Sequence, residues 1–168
     1  ERLLLPRAAV AGTLVTTLAS GKPGRWDRLA AIEVQLFSGS LSSSAELLVL
    51  GGANAAAVKS ANGMWEVIQF ANAEETGPGA WRLSGLLRGQ LGTEDAAALG
   101  ALPGSEFVLL DGAVLSAGLS DEESGLVLNW KIGPQGKDFT DRYFDTVVAG
   151  PAKRFAKPDD VAGIVTFL

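Results

Sequence analysis

Hydrophobic and polar residues alternate along much of this chain. In the segment AIEVQLF (31–37), Ile32, Val34 and Leu36 fall on one side, and Glu33 and Gln35 fall on the other. Alternate side chains of a strand point to opposite faces of the sheet, so a period of two is typical of a half-buried β-strand. We therefore predict a strand here, with Ile32, Val34 and Leu36 facing the core.

Further alternating or continuous apolar runs, separated by segments with turn signals, predict more strands. They are ELLVL (46–50), AAAVKS (55–60), MWEVIQFANA (64–73), WRLSGLL (81–87), EFVLL (106–110), AVLSAGL (113–119), SGLVLNWKI (124–132) and the segment around RYFDTVVAG (142–150). Asn62-Gly63 and Asp111-Gly112 predict two-residue hairpin turns, because both positions of such a turn tolerate positive φ. About eight to eleven short strands predict a mainly β protein, either an antiparallel sandwich or a barrel.

Only one segment favours a helix. Thr93 suits an N-cap, Glu94 and Asp95 suit the first turn, and Gly100 suits the end of a short helix over 94–99. The segment RWDRLAA (25–31) is ambiguous between helix and strand. Gly85, in the middle of WRLSGLL, predicts a bulge or a close approach of another backbone.

The amino-acid composition excludes several classes of catalytic and binding site. Of the 168 residues, 47% are hydrophobic and 20% are charged, which suits a packed core in one domain or two small ones. The chain has no Cys and no His, which excludes Ser-His-Asp and Cys-His catalysis and Cys-ligated metals within it. The net charge of −5 argues against nucleic-acid binding. We expect no catalytic residues, no cofactor, no metal site and no membrane span.

The domain limits are read from the same pattern. We expect one all-β domain over residues 1–156, divided at most into two small β subdomains. The segment KPDD (157–160) follows a basic run, and residues 157–168 are predicted as a linker or a terminal strand. The chain starts with Glu1 rather than Met, which we interpret as a sign of a piece of a longer protein.

Arg88 is the charged residue that most needs an explanation, because it ends the strand WRLSGLL. Its guanidinium is expected to bind backbone carbonyls, or to pair with Glu94, Asp95 or another carboxylate, and so to join the strand to the helix. The alternative is a clamp for a carboxylate or phosphate of a substrate. If Arg88 has the structural role, Arg88→Ala is expected to lower the free energy of unfolding by ~1–3 kcal/mol.

Two other sets of residues are candidates for binding. Aromatic rings exposed on one face of a β-sheet can form a platform for sugars, and the candidates are Trp26, Trp65, Trp81 and Trp130. The opposing interpretation is that these tryptophans belong to the core. The acidic run Asp121–Glu123 is interpreted as a solvated turn, because it lacks the alternating spacing of a calcium loop.

The central part of the chain, GMWEVIQFANAEETGPGAWRLSGLLRGQLGTED (63–95), resembles a signature of tail-tip proteins of siphophages and gene transfer agents. Upstream, 25–56 resembles the same family, and so does GSEFVLLDGAVL (104–115), so that the resemblance spans roughly residues 10–150. The fairly specific part is Leu-Leu-Arg-Gly-x-x-Gly-Thr. The motif positions that carry the resemblance are Trp65, Glu66, Gln69, Phe70, Leu83, Gly85, Leu86, Leu87, Arg88, Gly89, Gly92, Thr93 and Glu94.

This resemblance implies the C-terminal region of a baseplate hub or host-specificity-like protein. Such a module is expected to be structural and non-enzymatic, with other tail and baseplate proteins as partners and a homotrimer in the full-length assembly. It implies a location in the tail of a virion or phage-like particle, assembled in the bacterial cytoplasm and released with the particle. The alternative is a carbohydrate-binding β module that recognises a bacterial surface polysaccharide of the envelope or capsule.

Overall fold

A computed structural model describes the greater part of the chain, and it divides into two compact units. The first unit is Arg7–Val114, and the second contains the two strands closest to the C-terminus among the described residues. The residues described are 5, 7–116, 120–123, 126–132, 140 and 145–149. The predicted segment 157–168 and the run VAGIVTFL lie outside them.

The first unit is a closed antiparallel barrel of six strands. The strands are β1 (Ala11–Leu14), β2 (Trp26–Leu36), β3 (Ala55–Lys59), β4 (Trp65–Gly77), β5 (Ala80–Gln90) and β6 (Glu106–Leu109). Around the barrel they follow the order β1-β2-β5-β4-β3-β6, and β6 pairs back with β1. Of the two predicted architectures, the barrel is therefore the correct one.

Inward-facing side chains fill the barrel, as the alternation predicted. Ile32, Val34 and Leu36 of β2 lie in the core cluster with Phe70 of β4 and Phe107 of β6. Gly85 is in the left-handed region (φ 64), and β2 and β5 shift register between Asp27 and Ala31 where they pair near it. The predicted irregularity at Gly85 is therefore confirmed.

Two short helices flank the barrel, and one of them replaces a predicted strand. The helix over 94–99 is confirmed as α2 (Glu94–Leu99), which ends at Gly100 with φ 67. The prediction of a strand for ELLVL is wrong, because these residues form α1 (Glu46–Leu50). Both edges of β4 are occupied by β3 and β5, so no neighbouring strand remains for ELLVL there. Only Val49 of α1 is buried, whereas Leu47 is 79% exposed.

Two further segments also differ from their sequence interpretation. The ambiguous segment 25–31 is extended, since β2 begins at Trp26. The predicted hairpin around Asp111-Gly112 does not form in the described residues, because Ala113 to Ser116 are not in a strand. Instead, the Asp111 carboxylate accepts a hydrogen bond from Ala113 N at 2.8 Å and folds the chain into a turn. Residues 117–119 of that prediction lie outside the described part.

The second unit contains one described pair of strands. β7 (Leu128–Ile132) pairs antiparallel with β8 (Asp145–Ala149), with Leu128 opposite Ala149 and Ile132 opposite Asp145. Both strands fall within segments that alternation predicted. The acidic run Asp121–Glu123 forms one turn of 3-10 helix.

Candidate functional site at one end of the barrel

A fully buried ion pair lies inside the barrel between β4 and β5. Arg88 donates from Nε to Glu66 Oε1 at 2.6 Å and from Nη2 to Glu66 Oε2 at 2.8 Å. Each side chain is only 1% exposed. The two parallel bonds match the planar guanidinium to the planar carboxylate, which is the strongest common geometry for this pair.

The strand pattern explains why these charges point inward. Glu66 shares its face of β4 with Ile68 and Phe70, which belong to the core, and Arg88 shares its face of β5 with the core residue Leu86. Antiparallel pairing of β4 with β5 then brings Glu66 to Arg88, although they are 22 residues apart in sequence. The pair therefore continues the barrel core beyond its last apolar layer.

Two further hydrogen bonds engage the pair. Arg88 Nη1 donates to the carbonyl oxygen of Ala19 at 2.8 Å, and Gly89 N donates to Glu66 Oε1 at 3.1 Å. Ala19 belongs to the connection between β1 and β2, which therefore lies against the guanidinium. Gly21 of the same connection packs so close that a Cβ there would lie 2.5 Å from Arg88 Nη1. A larger residue at position 21 would displace the arginine.

Backbone hydrogen bonds tie three connections together at this end of the barrel. Leu18 and Ala101 pair as an isolated bridge, Gly21 N donates to Ala97 O at 2.9 Å, and Ala61 N donates to Gly100 O at 3.0 Å. The β1–β2, β3–β4 and β5–β6 connections therefore form one layer over the ion pair. This layer covers the pair, which is why each side chain is only 1% exposed to solvent.

Thr93, rather than Arg88, links the strands to α2. Its hydroxyl accepts a hydrogen bond from Val67 N at 2.9 Å and donates to Gln90 O at 2.7 Å. Thr93 occupies the N-cap position of α2, but its side chain makes no capping bond there. The expected arrangement, in which Arg88 joins the strand to the helix, is replaced by a hydroxyl that joins β4 to the β5–α2 turn.

The sequence left three kinds of partner open for Arg88: Glu94, Asp95 or another carboxylate. The structure shows another carboxylate, that of Glu66. Glu94 and Asp95 are exposed in the first turn of α2. The sequence resemblance includes Glu66, but the sequence analysis does not predict Glu66 as the partner of Arg88. The sequence does contain an indication of this role, since Glu66 occupies the same strand face as Ile68 and Phe70, where an apolar residue is expected.

The other signature residues surround the pair or lie in the adjoining layers. Phe70 and Leu86 are in the core, and left-handed conformations occur at Gly89 (φ 59) near the end of β5 and at Gly92 (φ 78) in the turn that leads to α2. Gln69 faces outward and donates from Nε2 to Val49 O at 2.5 Å and to Ala53 O at 2.9 Å. It thereby satisfies carbonyl oxygens at the end of α1.

The three tryptophans of the first unit have different surroundings. Trp81 lies in the barrel core and is 8% exposed, and Nε1 of its ring has no hydrogen-bond partner. Trp26 is half-buried against Val49 and Leu87 outside the barrel. Trp65 is half-buried beside Lys59, whose ammonium lies 5.6 Å from the centre of the ring. Trp130 lies on β7 in the second unit.

An exposed ion pair holds α1 to the start of β2. Arg28 donates to both carboxylate oxygens of Glu46, at 2.6 and 3.1 Å. The hydrogen bond from Arg28 lowers the pKa of the Glu46 carboxyl below its ordinary value, and the same contact raises the pKa of Arg28. The Arg28 guanidinium also lies 5.6 Å from the centre of the Trp26 ring.

Within the described residues, no group of three or more acidic side chains is placed to hold a metal ion. No helix among those residues is long and apolar enough to span a membrane. The arrangement around Glu66 and Arg88 stabilises the fold chemically: each charge neutralises the other, and their polar atoms are engaged by the protein itself. Because each side chain is only 1% exposed, a molecule in solution does not reach the pair in this structure.

The match to known families covers this barrel. A family model described as "Rcc01698-like, C-terminal" matches residues 9–108, more than half of the chain. The chain belongs to this family. Rcc01698 is a gene of the gene transfer agent region of Rhodobacter capsulatus, so the Rcc01698-like C-terminal family is associated with gene transfer agents. The matched range begins just before β1 and ends one residue before the end of β6. A comparison with curated proteins finds no match.

Proposed function

We propose that the Rcc01698-like barrel is a non-enzymatic structural module in the tail tip of a gene transfer agent or related phage-like particle, where it takes part in particle assembly. The observation that carries the proposal is the ion pair between Glu66 and Arg88. Both belong to the tail-tip signature, and both are 1% exposed inside a barrel that the family match spans. The charges of the signature are therefore used to hold a scaffold.

The proposed setting follows from the family and the resemblance together. In the full-length protein the barrel would work within a homotrimer, against other tail and baseplate proteins. The particle tail is the corresponding location. The sugar-binding alternative has less support, because Trp81 is in the core while Trp26 and Trp65 lie outside it.

The test uses a bacterium that produces such particles and carries the full-length gene. Three alleles would be compared: the natural one, Arg88→Ala, and Arg82→Ala as a control on the same strand, since Arg82 is exposed. The measurements are the number and tail morphology of purified particles by electron microscopy, the amount of the protein in them by immunoblot, and the frequency of gene transfer.

We expect the protein in purified particles, with immunogold label at the tail tip. Arg88→Ala is expected to reduce the number of particles with complete tails and the transfer frequency together, whereas Arg82→Ala leaves both unchanged. Absence of the protein from purified particles would refute the proposal. So would normal tails and normal transfer in a strain from which the barrel has been deleted.

A further inference from the structure

The turn between β3 and β4 contains the pair Asn62-Gly63. The turn is closed by a hydrogen bond from Ser60 N to Met64 O at 2.7 Å, and Gly63 N donates to Ser60 O at 2.9 Å. Gly63 has φ 83, and a Cβ built there would meet nothing within 4 Å. The turn is therefore ordered by its own backbone and open to solvent at the glycine.

Two donors converge on the side-chain carbonyl of Asn62. The Ser60 hydroxyl donates to Asn62 Oδ1 at 2.6 Å, and Met64 N donates to the same oxygen at 3.0 Å. A backbone N–H can only donate, which fixes the oxygen rather than the nitrogen of the amide at this position. Ser60 is 5% exposed, so its hydroxyl is held in place by the surrounding protein.

This arrangement resembles an oxyanion hole around an amide that has a nucleophile next to it. If Gly63 N attacks Cγ of Asn62, negative charge develops on Oδ1. Two preorganised donors at hydrogen-bond distance stabilise such a charge where it forms, and in enzymes this is a large part of catalysis. The absence of a side chain at Gly63 removes steric hindrance beside the attacking nitrogen, whose hydrogen bond to Ser60 O breaks when its proton leaves.

We infer that Asn62-Gly63 is a self-modification site, at which the folded turn promotes conversion of Asn62 to aspartate and isoaspartate. A bond forms between Gly63 N and Asn62 Cγ while the bond between Cγ and Nδ2 breaks. The Gly63 amide proton passes to solvent base, and Nδ2 takes up a proton from water and leaves as ammonia. The resulting five-membered succinimide is opened by water at either carbonyl.

The modification changes both charge and backbone. Either product adds one negative charge to a chain whose net charge is −5. The isoaspartate product also routes the main chain through the former side chain, which adds one methylene to the turn. That extra length is incompatible with the present pairing of Ser60 with Met64.

The test is incubation of the folded protein at neutral and mildly alkaline pH, followed by peptide mass mapping. The variants are Ser60→Ala, which removes one donor, and Gly63→Ala, which obstructs the nucleophile. Asn54 and Asn72, each followed by alanine, serve as internal controls in the same digest. Each protein is also incubated unfolded in urea, so that the effect of the folded turn is measured within one sequence.

We expect conversion at position 62 well ahead of positions 54 and 72, faster at the higher pH, with release of ammonia and a mixture of two products. The folded protein is expected to convert at least as fast as the unfolded chain. Ser60→Ala should slow the folded protein several-fold and leave the unfolded rate unchanged. The inference is overturned if the folded turn is slower than the unfolded chain, or if folded Ser60→Ala converts as fast as the natural protein. If Ser60→Ala does not fold, the comparison between the folded and the urea-unfolded natural protein still tests the inference.

Discussion

Replacing Arg88 with alanine removes three hydrogen bonds from the barrel at once. Two of them join Arg88 to Glu66, and the third joins it to the Ala19 carbonyl. What remains is a carboxylate that is 1% exposed and keeps one donor, Gly89 N, at 3.1 Å. Removing one partner of a buried ion pair is destabilising by about 3–5 kcal/mol, because the other charge is left without compensation. This exceeds the ~1–3 kcal/mol expected from the sequence, where hydrogen bonds alone were considered.

A double substitution separates the charge effect from the packing. In Glu66→Leu with Arg88→Met, no charge is left in the core, and replacing a buried pair with apolar residues is often neutral or stabilising. Gly89 N and the Ala19 carbonyl would still lose their partners, a loss of about 1–3 kcal/mol each at most. We therefore expect the double variant to be more stable than Arg88→Ala.

The assay is urea denaturation, followed by tryptophan fluorescence, to which the core residue Trp81 contributes, and by circular dichroism. Arg82→Ala, on the same strand but exposed, is the control and should change stability by less than about 0.5 kcal/mol. Two results would refute the reasoning. One is a decrease of less than about 1 kcal/mol in the free energy of unfolding of Arg88→Ala, because an uncompensated buried charge destabilises by more than that. The other is a double variant that is less stable than Arg88→Ala.

Two further predictions concern a close contact and a surface ion pair. Gly21→Ala should destabilise clearly, because its Cβ would lie 2.5 Å from the buried guanidinium, whereas Gly112→Ala, with nothing within 4 Å, should be neutral; equal melting temperatures for the two would contradict this. The lowered pKa of Glu46 means that its bond to Arg28 stabilises the fold above the ordinary value of 4.5, and that this contribution is lost as pH falls through the lowered pKa. Thermal melts of Glu46→Gln should therefore differ from those of the natural protein at neutral pH and converge with them in acid; a constant difference would count against it.

Most of the barrel strands could be predicted because alternation and short apolar runs are local signals, whereas β1 (Ala11–Leu14) was not among the predicted strands. In the second half of β2, residues 32–36 show in the sequence which side faces the core, and no distant information is needed for that. The helix α1 could not be predicted this way. The run ELLVL is apolar enough for a buried strand, and only the occupied edges of β4 exclude it. Its leucines Leu47, Leu48 and Leu50 remain largely exposed, which hydrophobicity alone does not foresee.

The ion pair also depends on contacts between distant residues, which a local sequence pattern does not specify. Sequence proximity favoured Glu94 and Asp95 as partners of Arg88, but both are exposed in the first turn of α2, whereas Arg88 is buried. The partner is set by strand pairing, which connects β4 to β5 and places Glu66 across from Arg88. Only the position of an acid among apolar neighbours on one strand face could have indicated it. The hydrogen bond from Arg88 to the Ala19 carbonyl depends on how the β1–β2 connection crosses the barrel end, for which no local pattern exists.

Closure of the barrel by β1 and β6 determines the order in which the protein can fold. Ala11 pairs with Val108, so the two ends of the barrel sequence must meet before the last row of hydrogen bonds forms. β3 also pairs with β6, which leaves both β1 and β3 with an open edge until residues 106–109 have been synthesised. Such distant pairing slows folding, and unpaired edges invite association with other chains. During synthesis, the nascent barrel therefore depends on its final strand for protection against aggregation.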